Sequence, residues 1–340
     1  MKRRDFLKGA AAVSALAVFG SGESSGTSRD ISRGRSPASD RHARVVLAGV
    51  TKGDSDATLK AAVREAALAA SDFSWLSRND AVFIKPALNS GSPYPSTTSP
   101  VAIAAMMELL REKGAGRVIV GDMSGIELVK LSPDGLVGST RKLMEACGMA
   151  RAVQAAGGEL HFFEEAGWDA FYEDLMTATG HWKGGLMMPN ILKEVEHIIL
   201  MPRCGRHVLA GATLGMKAAV GYWRTDTRLE YHRDAATFHE KTAEANTART
   251  LLQKQRLVIS AADKILTTFG PNKGYVHEPQ TGLIIASESV VAHDMVSLAW
   301  LLENRRNIPE DKKGGFVDSS PLVARLANYW VVSKLGGWKP

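Results

Sequence analysis

Three short apolar runs constrain this chain more than any other feature: RVVLAGV at 44–50, AVFIKP at 81–86 and RVIVGD at 117–122. Each has the length of a buried strand, and helical patterns separate them. Between the first two, ATLKAAVREAALAA (57–70) repeats apolar residues at helical spacing with charges on the opposite face. Between the second and third, Ser99-Pro100 opens a helix that runs to Lys113 and stops at Gly114. Its proline lies in the first turn, where the missing N–H costs nothing. This alternation predicts an α/β fold, a mostly parallel sheet with helices on both faces.

The pattern continues with strands at 159–164, 192–202 and 282–287, and helices at 140–147, 149–156 and 289–303. RLVISAADKILTTF (256–269) holds one strand or a strand pair. Residues 125–138 read as a long loop, 167–190 as a surface excursion, 235–255 as a polar helix and 320–335 as a last amphipathic helix. The first run, 44–50, reads as a buried strand. One α/β domain over 44–335 is expected.

Ahead of it, Lys2-Arg3-Arg4-Asp5-Phe6-Leu7-Lys8 resembles a twin-arginine export signal, two arginines followed by Phe-Leu-Lys. The apolar run from Gly9 to Phe19 is Ala-rich and too short to span a bilayer, and no Cys follows it for a lipid anchor. Residues 1–20 are therefore assigned as a signal segment. The resemblance implies the twin-arginine translocation machinery as a partner and a periplasmic or other extracytoplasmic location. Residues 21–43 are Ser/Gly/Arg-rich and read as a flexible linker. GSGESSG (20–26) is not a phosphate loop, because no strand precedes it and no helix follows.

The net charge of +6 overstates how basic the folded part is. Residues 1–41 hold eight Lys/Arg and four Asp/Glu, leaving 34 basic against 32 acidic residues beyond them. No basic run is interleaved with aromatics, so nucleic acid is not an expected partner. Cys147 and Cys204 could form one disulfide in an oxidising compartment, but they read better as separate small buried residues. Two cysteines cannot supply a four-thiolate iron–sulfur site, and a divalent metal is left open as a cofactor.

The chemistry concentrates in PRCGRHVLAGATLGMKAAVGYWRTDTRLEY (202–231), directly after the apolar HIILM. Arg203, Arg206, His207, Lys217, Arg224 and Arg228 stand there among glycines and small apolar residues. Charges in such surroundings are costly unless something binds them, which points to a site that receives an anion. Ligands of parallel α/β sheets bind beyond the carboxyl ends of the strands, and Lys85, Asp122 and Arg203–His207 all follow predicted strands. Each has a structural reading as well. Lys85 fits a strand-end lysine with its stem buried, Asp122 a turn cap, and His207 a satisfied histidine. Asp294, inside a predicted helix, fits the partner of a buried base. His232 and His239, seven residues apart, read as a solvated helix face rather than a metal pair, being about 10 Å apart by helical rise.

IKPALN (84–89), LLREKGAGRVIVGD (109–122), LMPRCGRH (200–207), TLGMKAAVG (213–221), GPNKG (270–274) and GLIIASESVVAHDMV (282–296) occur in order, and together they resemble the domain-of-unknown-function 362 family over about 44–303. Lys85 and Pro86 match that family's Lys-Pro-Asn-Leu, with Ala87 where the Asn would stand. Its Lys-x-Lys-Thr-His becomes Arg203-Cys204-Gly205-Arg206-His207, and its Lys-Asn becomes Lys217-Ala218. His232 corresponds to a later His, and Asp294 to the Asp after the last strand. Some members carry ferredoxin-like cluster modules, whose cysteines this chain lacks. The family's domain is also distantly similar to nickel-dependent lactate racemases, a likeness that transfers no reaction.

Two functions fit. In the first, an exported enzyme acts on a small anionic metabolite, a carboxylate or phosphorylated compound. Lys85, Arg203 and Lys217 then bind the anion, His207 is the acid or base, and Asp122 or Asp294 orients it or holds a cation. In the second, a non-catalytic periplasmic protein captures or delivers a metal or cofactor. Export itself is separately testable. Replacing both Arg3 and Arg4 with Lys should leave folded protein in the cytoplasm, and cell fractionation showing undiminished export of the double variant would refute the twin-arginine assignment.

Overall fold

The computed structural model describes residues 43–234 and 236–313. The signal segment, nearly all of the linker and the helix expected at 320–335 lie outside the described residues. In chain order, β1 (Val45–Thr51), β2 (Ala81–Pro86) and β3 (Arg117–Asp122) are followed by a small hairpin of β4 (Lys130–Ser132) and β5 (Gly135–Val137). Next come β6 (Glu159–Phe162), a second hairpin of β7 (Phe171–Asp174) and β8 (Leu186–Pro189), and β9 (His197–Met201). The rest are β10 (Gly205–His207), β11 (Gly211–Thr213), β12 (Gln255–Ala262), β13 (Ile265–Leu266), β14 (Val276–His277) and β15 (Thr281–Ser287).

Seven strands form the central sheet in the order β1-β15-β12-β9-β2-β3-β6. The run from β12 to β6 is parallel, while β15 lies antiparallel to both β12 and β1. Chain order reverses between β2 and β9. From β2 the chain builds outward through β3 and β6, and from β9 it builds the other way through β12. At that seam Lys85 lies opposite Leu200 and Pro86 opposite Met201. Such a reversal leaves a crevice above the carboxyl ends of the two strands.

Period-two alternation distributes the core. On β2, Val82 and Ile84 face one cluster with the helices Asp56–Ala70 and Pro100–Glu112, and Ala81 and Phe83 face another on the opposite side. The helices start where the sequence places them, because Ser55, Ser99 and Ser289 accept N-terminal backbone N–H groups from Thr58, Ala102 and Ala292.

Four expectations need correction. β1 is a half-exposed edge strand rather than a buried one, since it pairs only with β15. The loop over 125–138 contains the β4–β5 hairpin. The polar helix over 235–255 is two helices, Phe238–Ala245 and Arg249–Lys254. They break where the Asn246 side chain turns back to donate to the Met216 and Thr242 carbonyls. Residues 167–190 are not a surface excursion. They form the β7–β8 hairpin, which lays Trp182, Leu186 and Met188 into the second core cluster, where Trp182 stacks on Tyr231.

Leu186 is wholly buried on that hairpin. Leu186→Ala should therefore lower stability by about 2–5 kcal/mol, read from urea denaturation midpoints. A change within about 0.5 kcal/mol, typical of surface positions, would restore the excursion.

Candidate functional site

A cleft of about 190 Å³ opens beyond the carboxyl ends of β2 and β3, where Lys85 lies opposite Leu200 of β9. It draws Lys85 and Asp122 from the ends of β2 and β3, His207 from β10, Lys217 from the short helix Gly215–Ala218, and Arg228 and His232 from the helix Thr225–Arg233. Four of the six residues expected at the site thus line one cleft.

Its floor is a buried ion pair. The Lys85 ammonium lies 2.9 Å from Asp122 Oδ2, with both residues at most 2% exposed. Lys85 also donates to the Pro86 carbonyl at 2.7 Å and lies 5.3 Å from the centre of the Tyr222 ring. Asp122 accepts from the backbone N–H groups of Leu88 and Met123 at 3.0 and 2.8 Å. Burial pushes the Lys85 ammonium down and the Asp122 carboxyl up, and each opposes the other's shift. Gly221 makes room for the pair. A Cβ there would meet Lys85 Nζ at 2.3 Å and Asp122 Oδ1 at 2.4 Å. Lys85 and Asp122 are thus matched to each other, rather than one holding an anion and the other a cation or histidine.

Arg228 binds the walls together. It donates to the carbonyls of Trp223, Ser124, Met123 and Gly221 at 2.5–2.7 Å, tying the loop after β3 to the segment after Lys217. Burial lowers its pKa to about 10, opposed by Asp122 and Glu164. Its backbone carbonyl, in turn, accepts the Nδ1 proton of His232 at 2.7 Å.

His232 is the residue that sequence reasoning put on a solvated face. The helix carrying it ends at Arg233, before His239, so the two histidines belong to different helices. Because a carbonyl can only accept, Nδ1 holds the proton and Nε2 carries the lone pair. Burial, reinforced by the Lys217 and Arg228 charges, lowers the His232 pKa to about 4 against the pull of the Arg228 carbonyl. His232 is consequently neutral near pH 7. A signal for it existed in the sequence: Arg224, Arg228 and His232 are spaced four apart, on one helix face.

His207 has the opposite tautomer. Its Nδ1 accepts from the backbone N–H groups of Leu209 and Ala210 at 3.1 and 3.2 Å, so the proton resides on Nε2. A proton at Nδ1 would break both bonds, so of the two expected roles, acid or base, the Nε2 proton favours the donor. The Lys217 ammonium lies 5.7 Å from the Tyr231 ring centre.

Arg203 and Asp294 do not line the cleft. Arg203 is fully buried behind Thr213, donating Nη2 to its hydroxyl at 3.2 Å, and burial lowers its pKa to about 10. It cannot grip a ligand in the cleft with both guanidinium arms. Asp294 accepts the N–H groups of Gly215 and Met216 at 2.6 and 2.8 Å. It seats the turn that carries Lys217. Among the described residues, no group of three or more His, Cys, Asp or Glu could hold a metal ion.

The family model described as "Domain of unknown function (DUF362)" matches residues 82–299, which includes every cleft residue. The chain belongs to that family. Residues 1–20 match a twin-arginine translocation signal sequence, so the chain is exported to the extracytoplasmic space. No helix among the described residues is long and apolar enough to cross a membrane. Comparison with curated proteins finds no match.

Two solved structures are similar in fold. One is a protein from Thermotoga maritima at 11% identity and a TM-score of 0.47, with 75% of this chain and 59% of that one covered. The other is the lactate racemase apoprotein from Thermoanaerobacterium thermosaccharolyticum at 12% identity and 0.43, with 61% and 48% covered. Ala87 and Ala218 both line the cleft.

The depressed His232 pKa has a definite consequence for stability. Between about pH 4 and 6.5 the unfolded chain takes up a proton on this residue that the folded chain refuses, so stability rises with pH through that window and is lost as pH falls. With its partial exposure allowed for, the difference amounts to about 2–3 kcal/mol. His232→Gln should flatten the denaturation midpoint across pH 4–6.5 relative to the parent. Identical pH dependence of the two proteins would contradict the assignment.

Proposed function

We propose that this exported protein is an acid–base enzyme acting on a small anionic metabolite, a carboxylate or phosphorylated compound, bound between Lys217, His207 and His232. The observation that carries the reading is the pair of neutral histidines with opposite tautomers lining one cleft beside a lysine. His232 supplies an unprotonated Nε2 to take a proton from the ligand. His207 supplies a protonated Nε2 to donate a hydrogen bond to the charge left behind, and Lys217 holds the anionic group.

A base with a pKa of about 4 is weak at neutral pH, and the bound anion corrects this. Lys217 is one cause of the depression, so a negative charge beside it raises the His232 pKa toward the operating range. Lys85 and Asp122 fix the floor, Arg228 fixes His232, and Asp294 fixes the Lys217 turn. These are positioning roles.

Histidine C2 proton titration by NMR tests the shared site. Adding a carboxylate or phosphate should move the His232 midpoint upward, and an unmoved midpoint at saturating anion would refute it. Lys217→Ala should weaken anion binding by about 1–3 kcal/mol, the scale of a hydrogen bond to a charged group, while leaving the melting temperature nearly unchanged. A large fall in melting temperature with unaltered affinity would make Lys217 structural instead.

A further inference from the structure

The buried guanidinium of Arg203 stands just behind the cleft wall. It donates Nη2 to the Thr213 hydroxyl at 3.2 Å, while Nε and Nη1 have no hydrogen-bond partner among the described residues. No carboxylate among those residues pairs with it. Burial lowers its pKa only to about 10, so the group stays charged near pH 7. A buried charge without a counter-ion is costly, yet the backbone is shaped to keep this one in place. A Cβ on Gly205 would meet Nη1 at 2.5 Å, so the absence of a side chain there is what admits the guanidinium.

Thr213 faces both the arginine and the cleft. It ends β11, lines the cleft together with His207 and Lys217, and is 7% exposed. A hydroxyl has one proton to give and two lone pairs to receive. An arginine N–H can only donate, so Thr213 Oγ1 is the acceptor in that bond and its own proton points elsewhere. No acceptor among the described residues takes that proton. A hydroxyl that accepts from a cation is polarised by it and becomes a stronger donor in turn. The cleft wall therefore carries a directed donor, backed by a positive charge that is wholly out of contact with solvent.

We infer that Thr213 is a further ligand-binding residue, its hydroxyl donating to an oxygen of the bound anion, and that Arg203 is a positioning residue that orients this hydroxyl from behind. The inference rests on the anion-site reading above and adds a donor to it. Arg203 then acts on the ligand without touching it, and the anion supplies the negative charge that the protein does not place beside the guanidinium.

Calorimetric titration of the full chain with acetate and with inorganic phosphate tests this. Thr213→Val removes the hydroxyl at nearly constant volume and should weaken binding of both by roughly 10- to 100-fold, the scale of a hydrogen bond to a charged group. Thr213→Ser keeps the hydroxyl and should restore most of the affinity. Arg203→Met should weaken binding by a smaller factor, and Arg203→Lys, which keeps the charge, by less still. An arginine with only a structural role predicts lower melting temperatures for both arginine variants and unchanged affinity. Because Thr213→Val deprives Arg203 of its hydroxyl partner, a double variant of Arg203→Met with Thr213→Val removes donor and acceptor together, and its affinity against that of Arg203→Met alone reads the hydroxyl in a protein without an orphaned charge. Parent-like affinity in Thr213→Val, or no further loss in the double variant, would overturn the threonine donor and leave the anion site standing. Unchanged affinity in Arg203→Met would overturn the positioning role. A parent chain that binds neither acetate nor phosphate would overturn the anion-site reading as well.

Discussion

The ion pair between Lys85 and Asp122 is the constraint on which the rest of the site depends. It bridges the ends of two neighbouring strands beside the seam where the sheet changes direction, and both partners are almost wholly buried. Neither partner is stable there alone, since removing one from a buried pair leaves an uncompensated charge that costs about 3–5 kcal/mol. The surrounding backbone is arranged to avoid this. Leu88 and Met123 turn their N–H groups to Asp122, Pro86 turns its carbonyl to Lys85, and Gly221 withholds a side chain so that the opposite wall can close over both. The loops after β2 and β3 and the segment after Lys217 are thereby held at fixed positions around one cleft.

A second layer of buried polar contacts converts that frame into a site with a definite protonation pattern. Arg228 joins the two walls through backbone carbonyls, and its own carbonyl sets the tautomer of His232. Two backbone N–H groups set the opposite tautomer of His207. Asp294, from the helix after β15, fixes the turn bearing Lys217. The residues facing the cleft are few, and most of the charged side chains in this region serve to hold them. Charge density in the sequence stretch 202–231 therefore overstated how many groups meet a ligand.

The rule that ligands bind beyond strand ends pointed to Lys85, Asp122 and His207, which line the cleft, because strand ends are readable from apolar runs. It failed for Arg203, which follows β9 as closely as His207 follows the next turn. Whether a side chain after a strand points up into the crevice or back under β11 depends on the turn, and Thr213 shows that it went back. Asp294 was placed at the site by family resemblance, while its structural reading as a partner for buried groups describes its contacts. His232 was passed over because its helix and that of His239 read as one continuous polar stretch, and the break at Asp234 was not legible from composition.

By itself the sequence determined the export signal, the α/β class, the strands that build the central sheet, and the helix starts at Ser99 and Ser289. These are local properties of periodicity, capping and charge, each complete within about fifteen residues. The tertiary structure decided the strand order, the burial of the β7–β8 hairpin, which charges meet one another, and which nitrogen of each histidine holds its proton. All of these depend on groups brought together from distant positions, as when residues 85 and 122 meet beneath residue 221. No local pattern carries that information, because the energy of a buried charge is set by whatever stands opposite it.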